Sequence, residues 1–335
     1  MVKSQIVTGL IGAGRIGRMH AENIISHLPD VFLKAVADPK LDDGWAEKIG
    51  IQVCSLDERT LLDDPEIEAV VIAASSTAHV DLVCAAAQAG KQIFCEKPIA
   101  FKPEAINKTI SAVKSAGVRF QVGFNRRFDP DFVTVKKALA SGKIGTPHII
   151  RVTNRDPIRP DPAYIPDSGG LFMDFSVHDF DMARFMSGSE VEEVYAAGAA
   201  LIDPEVERLG DIDTALITLK LTDGALCIID LSRETNYGYD QQVEVFGSKG
   251  SISARNITPT NTVWCTAGGV FTDKPHYSFV ERYEAAYIAE LRAFFTNVRD
   301  QTPTPVSGED ALAAVSIARA AQQSYEQNRP VKVVS

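Results

Sequence analysis

Apolar residues recur along this chain with two alternating periods. Short runs rich in Val, Ile and Leu, over residues 5–11, 32–37, 67–73, 91–95 and 119–122, read as strands. Between them, helical spacing runs from the first glycine-rich turn to about residue 28, over 78–89 and over 103–116. Strand and helix in alternation predict a parallel sheet with crossover helices, and ligands of such sheets sit at the carboxyl ends of the strands. Beyond residue 125 the pattern changes. A helix opens at Phe128-Asp129-Pro130 and ends at Ser141-Gly142; alternating or β-branched runs then cover 149–155, 191–199, 214–221, 225–231, 241–246, 251–254 and 262–265. Thr222-Asp223-Gly224 and Gly247-Ser248-Lys249-Gly250 mark hairpin turns among them. A proline-rich stretch over 157–166 predicts a surface loop, and two long helices follow at 279–298 and 310–327. Two domains are expected, residues 1–125 and 126–335, the second an α+β domain with a large, mainly antiparallel open sheet.

Composition narrows the class. With 335 residues the chain exceeds one ordinary domain, and 45% hydrophobic with 23% charged residues describes a globular protein. A net charge of −10 argues against nucleic acid or an anionic membrane as partner. No apolar run approaches the ~20 residues of a membrane span. The apolar run over 6–11 is too short for a secretory signal. Cys54, Cys84, Cys95, Cys227 and Cys265 show neither C-x-x-C pairing nor metal-ligand spacing, so they are expected to be reduced core residues of a cytoplasmic protein without a metal.

The chemistry sits at the predicted strand ends. Gly12-Ala13-Gly14-Arg15-Ile16-Gly17 is G-x-G-x-x-G at a strand-to-helix turn. Gly12 permits the tight turn, Gly14 lets backbone approach a pyrophosphate, and Gly17 lets the helix pack close to the sheet. The second strand ends in Asp38, placed to bond the ribose hydroxyls of NAD and repel a 2′-phosphate. These features predict a Rossmann dinucleotide-binding domain with NAD as cofactor. The expected cofactor set is Gly12, Gly14, Arg15, Ile16, Gly17 and Asp38, then Ser75, Thr77 and His79, then Glu96 and Lys97. A lysine leaving a buried strand at the ligand edge, in Glu96-Lys97-Pro98, could hydrogen-bond a substrate hydroxyl and stabilise developing alkoxide. Its plain alternative is a surface lysine.

After Gly169-Gly170 the chain reads as one helix closed by Ser187-Gly188, with Asp174, His178 and Asp181 within an arc of roughly 60°. The helix is apolar on most of its circumference, so it is expected to be buried. Its acids and imidazole then need partners, and a core histidine salt-bridged to its own helix is the rival of a catalytic one. One face of the second domain's sheet would be bare in a monomer, which predicts a homo-oligomer, a tetramer, with a buried Trp264 region as candidate contact.

Together these residues resemble the Gfo/Idh/MocA oxidoreductase family, and within it the bacterial inositol 2-dehydrogenases. The likeness spans the chain: the glycine motif, Asp38, Glu96-Lys97-Pro98, Gly123-Phe124-Asn125-Arg126-Arg127-Phe128-Asp129, and Asp174-x-x-x-His178-Asp179-x-Asp181. Arg155-Asp156-Pro157, Ser168-Gly169-Gly170 and Tyr237-Gly238-Tyr239-Asp240 point more narrowly to the inositol branch. The resemblance implies NAD-dependent oxidation of a secondary ring hydroxyl of myo-inositol or a related cyclic polyol. Lys97, Asp174 and His178 would be catalytic, while Arg127, Asp156, Tyr237 and Tyr283 would join them around the substrate. It also implies a cis Lys97-Pro98 peptide. The alternatives are the same chemistry on scyllo-inositol, glucose or an anhydrosugar, and a non-catalytic NAD-binding regulator. The regulator reading predicts loss of the lysine or histidine.

Overall fold

The computed structural model describes residues 5–334, so the first four residues of the first expected domain and the last of the second lie outside it. Packing divides the chain into two units, Met1–Phe128 with Ala285–Leu312, and Asp129–Glu284 with Ala313–Ser335.

In the first unit the order is β1 (Ile6–Ile11), α1 (Arg15–His27), β2 (Val31–Ala37), α2 (Asp43–Lys48), β3 (Val53–Ser55), α3 (Arg59–Leu62), β4 (Ala69–Ile72), α4 (His79–Gln88), β5 (Gln92–Glu96), α5 (Pro103–Ala116) and β6 (Phe120–Gly123). Every pairing is parallel, in the order β3-β2-β1-β4-β5-β6. The order reverses at β1, which lies between β2 and β4, so the glycine-rich turn leaves the sheet at its switch point, where α/β sheets bind ligands. β4 and β6 are buried on both faces, as apolar strands under crossover helices require, whereas the edge strand β3 leaves Cys54 exposed. Ile24 of α1 and Phe94 of β5 share one core with Leu291, Phe294 and Phe295, so residues 285–312 complete the unit.

The second unit contains α6 (Pro130–Ala140), β7 (Pro147–Arg155), α7 (Ile165–Ser168), α8 (Val177–Ser187), β8 (Val191–Ala199), α9 (Pro204–Arg208), β9 (Thr214–Leu221), β10 (Leu226–Ser232), β11 (Asp240–Gly247), β12 (Gly250–Ala254), β13 (Val263–Thr266) and β14 (Gly269–Thr272). Two long helices, α10 (Phe279–Asp300) and α11 (Gly308–Gln327), belong partly to each unit, and β15 (Val331–Lys332) ends the chain's regular structure. The seven-stranded sheet runs β12-β11-β7-β10-β9-β8-β15, antiparallel throughout except for β7 beside β10. The expected mainly antiparallel sheet is therefore present, with one parallel pair. On β9, Ala215, Ile217, Leu219 and Leu221 face inward and alternate with outward residues. Asp129 caps α6 by accepting the Asp131 and Phe132 N–H groups at 3.1 Å, and its other oxygen accepts from buried Arg282.

Three local expectations change. Residues 171–187 are not one helix: a π-turn, Leu171–Phe175, precedes α8, with Ser176 between them. Trp264 is 70% exposed, on a two-stranded β13–β14 ribbon whose residues are nearly all exposed. Cys54 and Cys265 are exposed and Cys84 half-buried; only Cys95 and Cys227 are core residues, and all five are free thiols.

Candidate active site

The glycine-rich turn has the geometry that its spacing predicts. Gly12 has φ +96°, and a Cβ there would lie 2.5 Å from the Ala74 nitrogen. A Cβ on Gly17 would lie 1.9 Å from the Gly12 carbonyl oxygen, whereas nothing stands within 4 Å of one on Gly14. The first helical turn after Gly14 carries no side-chain cap and no acid, so its N–H groups suit an anion. Asp38 ties this turn to the end of β2: Oδ2 accepts the Ala13 N–H and Oδ1 the Lys40 N–H, both at 2.7 Å. These residues fit a dinucleotide, whose pyrophosphate needs close backbone and whose ribose needs an acceptor. Arg15 is exposed and Ile16 half-buried at the start of α1.

At the next strand ends the predicted set divides. Ser75 and Thr77 are exposed, their hydroxyls 3.1 Å apart. His79 is turned inward instead: Nδ1 lies 2.8 Å from the Pro98 carbonyl oxygen and Nε2 3.0 Å from that of Ala74. Burial pushes its pKa below the ordinary histidine value, despite two carbonyls that favour the cation. A neutral ring donates to one of them at a time. His79 thereby links the loops after β4 and β5. Glu96 also faces inward, with Oε1 2.7 Å from His20 Nε2 and Oε2 accepting the Lys97 backbone N–H at 3.2 Å. Lys97 is half-buried, and the Lys97–Pro98 peptide is cis. Arg127 is committed within this unit to Asp310, at 2.9 Å, and to the Pro305 carbonyl, at 3.4 Å.

In the second unit, Asp174 and His178 are half-buried while Asp179 and Asp181 are core residues. Gly170, at φ 81° and ψ −179°, enters a conformation open essentially to glycine alone and starts the π-turn. Asp211 accepts the Leu171 N–H at 3.0 Å, which anchors the turn's first residue. The π-turn presents Asp174 to two donors. Tyr164 Oη donates to Oδ1 at 3.0 Å, and Arg233 Nη1 to Oδ2 at 3.3 Å. Arg233 is 3% exposed and lies over the Phe175 ring. Beneath α8 runs a buried chain of donors: Tyr283 Oη to Gln241 Oε1 at 3.1 Å, Gln241 Nε2 to Asn154 Oδ1 at 2.5 Å, and Asn154 Nδ2 to Asp179 Oδ2 at 2.7 Å. Tyr283 is thus a core residue bracing the element that carries His178, at a point where α10 departs from helical geometry (φ −114°, ψ 16°). Asp156 is half-buried and donates its N–H to the Ser232 carbonyl. Tyr237, 41% exposed, accepts from Arg155 Nη1 at 2.8 Å and donates to Asp240 Oδ2 at 2.6 Å.

Sequence reading missed Tyr164, Arg233, His20, Asn154 and Gln241. Arg233 had a signal: it follows a strand whose alternate residues are buried, where an arginine needs an acid. Chemically, the first unit offers a dinucleotide turn and a lysine at a strand end. The second offers a half-buried imidazole four residues along the chain from a carboxylate already held by a phenol and a guanidinium.

Comparison with known proteins accounts for both halves. Residues 6–124 match the profile of the oxidoreductase family, NAD-binding Rossmann fold, and residues 132–253 that of the GFO/IDH/MocA C-terminal domain. The chain is 49% identical to the uncharacterized oxidoreductase YrbE of Bacillus subtilis, over 98% of this chain and 97% of that protein. It is 44% identical to the myo-inositol 2-dehydrogenase of Thermotoga maritima, over 97% and 98% of the two. A crystal structure of scyllo-inositol dehydrogenase from Lactobacillus casei, with bound NAD(H) and scyllo-inositol, superposes with a TM-score of 0.91 at 29% identity, covering 99% of this chain and 100% of that one. With both profiles matched and relatives of this identity along nearly its whole length, the chain belongs to the Gfo/Idh/MocA family of NAD-binding oxidoreductases.

Proposed function

We propose that this oxidoreductase removes hydride and proton from a secondary ring hydroxyl of a cyclic polyol, myo-inositol first, giving the ketone. The observation that carries the reading is Asp174, a half-buried carboxylate held by Tyr164 and Arg233 four residues before the half-buried His178, in a family whose relatives include inositol dehydrogenases. When bound, NAD supplies the hydride acceptor. His178 accepts the hydroxyl proton, a task suited to neutral imidazole near pH 7. Asp174 orients that ring and stabilises its cation. Lys97 donates to the reacting oxygen and favours alkoxide character. Gly12, Gly14, Gly17 and Asp38 hold the cofactor, supported by Arg15, Ile16, Ser75 and Thr77; His79 and Glu96 act from behind, by fixing the strand ends. Asp156 and Tyr237 offer bonds to the remaining hydroxyls. In this division of labour residues 1–125 bind NAD, while the rest of the chain binds polyol and joins copies of itself.

Scyllo-inositol is the second reading, favoured by the 29% identical enzyme whose crystals hold it. A regulator without catalysis is disfavoured by the presence of Lys97, Asp174 and His178 together. Initial rates with NAD on myo-inositol, scyllo-inositol, glucose and an anhydrosugar separate these, and no turnover of either inositol would refute the proposal. His178→Ala is expected to lower kcat on the order of 10²-fold or more and to erase the acid limb of the kcat/KM profile, with NAD affinity nearly unchanged. Near-normal turnover by the folded variant would return His178 to the status of a core histidine.

The outward face of the seven-stranded sheet supports self-association. Phe246, Ile149 and Leu226 form one cross-strand row, and Ile228 with Tyr195 borders the next. The proposed assembly is a homotetramer using this face and the exposed ribbon of Trp264 and Phe271.

A further inference from the structure

Behind the strand end that carries Lys97, the first unit gathers three ionisable side chains from three elements: His20 of α1, Glu96 of β5 and Glu290 of α10. One ligand atom of each lies within 4.8 Å of the others. His20 and Glu290 are fully buried. His20 Nε2 meets Glu96 Oε1 at 2.7 Å, while the buried Nδ1 has no hydrogen-bond partner among the described residues, which suits the Nε2–H tautomer. Both carboxyl oxygens of Glu290 are buried, with no hydrogen-bond partner among the described residues. Tyr287, one turn back on α10, packs its ring 5.8 Å from that of His20, and Gln121 of β6 donates to the Glu290 backbone carbonyl.

Two ionised carboxyls this close in a dry site are untenable without a cation or a proton. A cation suits the geometry poorly. Two ligands at about 2.0–2.2 Å from a tetrahedral metal stand roughly 3.4 Å apart, whereas His20 and Glu96 are at hydrogen-bond distance. Burial, then the charge of Glu96, pushes the Glu290 carboxyl well above the ordinary carboxylate range.

We propose that Glu290 carries a proton at neutral pH and is a positioning residue. It keeps the cluster's one negative charge on Glu96, the carboxylate that accepts the Lys97 backbone N–H and so sets the strand end from which the lysine projects. The link to Lys97 rests on the function proposed above; the proton on Glu290 does not.

The test uses the full-length protein and compares Glu290→Gln, a fixed mimic of the neutral acid, with Glu290→Ala. A carboxyl whose pKa is higher folded than unfolded contributes its full stability below the unfolded value and loses it as pH rises toward the folded one. Glutamine escapes that loss, so its Tm advantage over wild type should grow with pH from about pH 5 upward. Infrared difference spectra should show a protonated-carboxyl band in wild type at neutral pH that Glu290→Gln lacks. Glu290→Gln should keep kcat for inositol within about twofold, while Glu290→Ala loses roughly tenfold in kcat with NAD affinity little changed. Parallel Tm curves, or no such band, would overturn the proton. Equal loss in the glutamine and alanine variants would overturn the positioning role. A Tm raised by Zn²⁺ or Mn²⁺ and reversed by EDTA in wild type, but not in Glu290→Gln, would overturn both in favour of a cation. If wild type oxidises no inositol, the proposed function fails, and the Tm and infrared readings still decide the proton.

Discussion

Asp174 shows how much of a site is fixed by residues far from it in sequence. Its Asp-x-x-x-His spacing from His178 was legible in the sequence itself. Its donors were not. Arg233 is 59 residues away, and Tyr164 stands in a proline-rich stretch whose composition says only that it is a loop. The two donors differ in burial, 3% exposed for Arg233 and 48% for Tyr164, and this separates their expected effects. Arg233→Lys keeps the charge but loses the planar fork, so kcat should fall roughly tenfold and Tm should drop. Tyr164→Phe removes one hydrogen bond at an exposed edge, so kcat should fall by only about threefold with Tm unchanged. Equal losses in the two variants would contradict this assignment. Asp38 was read as a cofactor residue, and its contacts in the structure add a consequence. Because it also accepts the Ala13 and Lys40 N–H groups, Asp38→Ser should weaken NAD binding as well as relax discrimination against NADP. A variant that gained NADP use with undiminished NAD affinity would show that the carboxylate serves only as a filter.

Elements were legible wherever one period held from end to end. The five predicted strands of the first unit all lie in the parallel sheet, because continuous apolar runs between helices have no other economical burial. Residues 171–187 misled because one period was applied across a junction. A π-turn widens the spiral, so the face on which Asp174 lies is not the one that 100° per residue assigns. The signal was present in Gly169-Gly170, both at positive φ, as a break rather than an ordinary helix start. Gly170 also has the Asp211 carboxylate 3.0 Å from where a Cβ would stand. Gly170→Ala should therefore cost about 1–3 kcal/mol of stability and disturb the turn that carries Asp174. The expected readings are a lower Tm and a lower kcat in the protein that remains folded. Full activity with an unchanged Tm would mean the turn tolerates other entries. The parallel β7–β10 pair could not be read locally at all, since strand direction depends on connections rather than on period.

At the scale of the whole molecule, two features escape any local pattern: the assignment of residues 285–312 to the first unit, and the fate of the open sheet. The first depends on Leu291, Phe294 and Phe295 completing a core whose other members lie near the start of the chain. The second depends on which outward residues the register aligns. Leu216, Leu226 and Phe246 are 59%, 52% and 48% exposed, and Leu226 and Phe246 flank Ile149 in a single row. The neighbouring positions are not bare of charge: Arg151 lies opposite Glu244, and Arg155 pairs with Asp230. An apolar row beside one that mixes apolar residues with a paired Arg151 and Glu244 suits a face that another copy covers better than a face left to water. For the homotetramer proposed above, light scattering should give the mass of four chains of 36.3 kDa. Leu226→Glu together with Phe246→Glu places two like charges in the apolar row, and a symmetric contact would bring their copies near as well. This variant should dissociate to dimers or monomers while each chain keeps its NAD affinity, because no residue of the dinucleotide turn is altered. A wild-type mass of one chain, or a tetramer unmoved by both substitutions, would show that this face is not where copies meet.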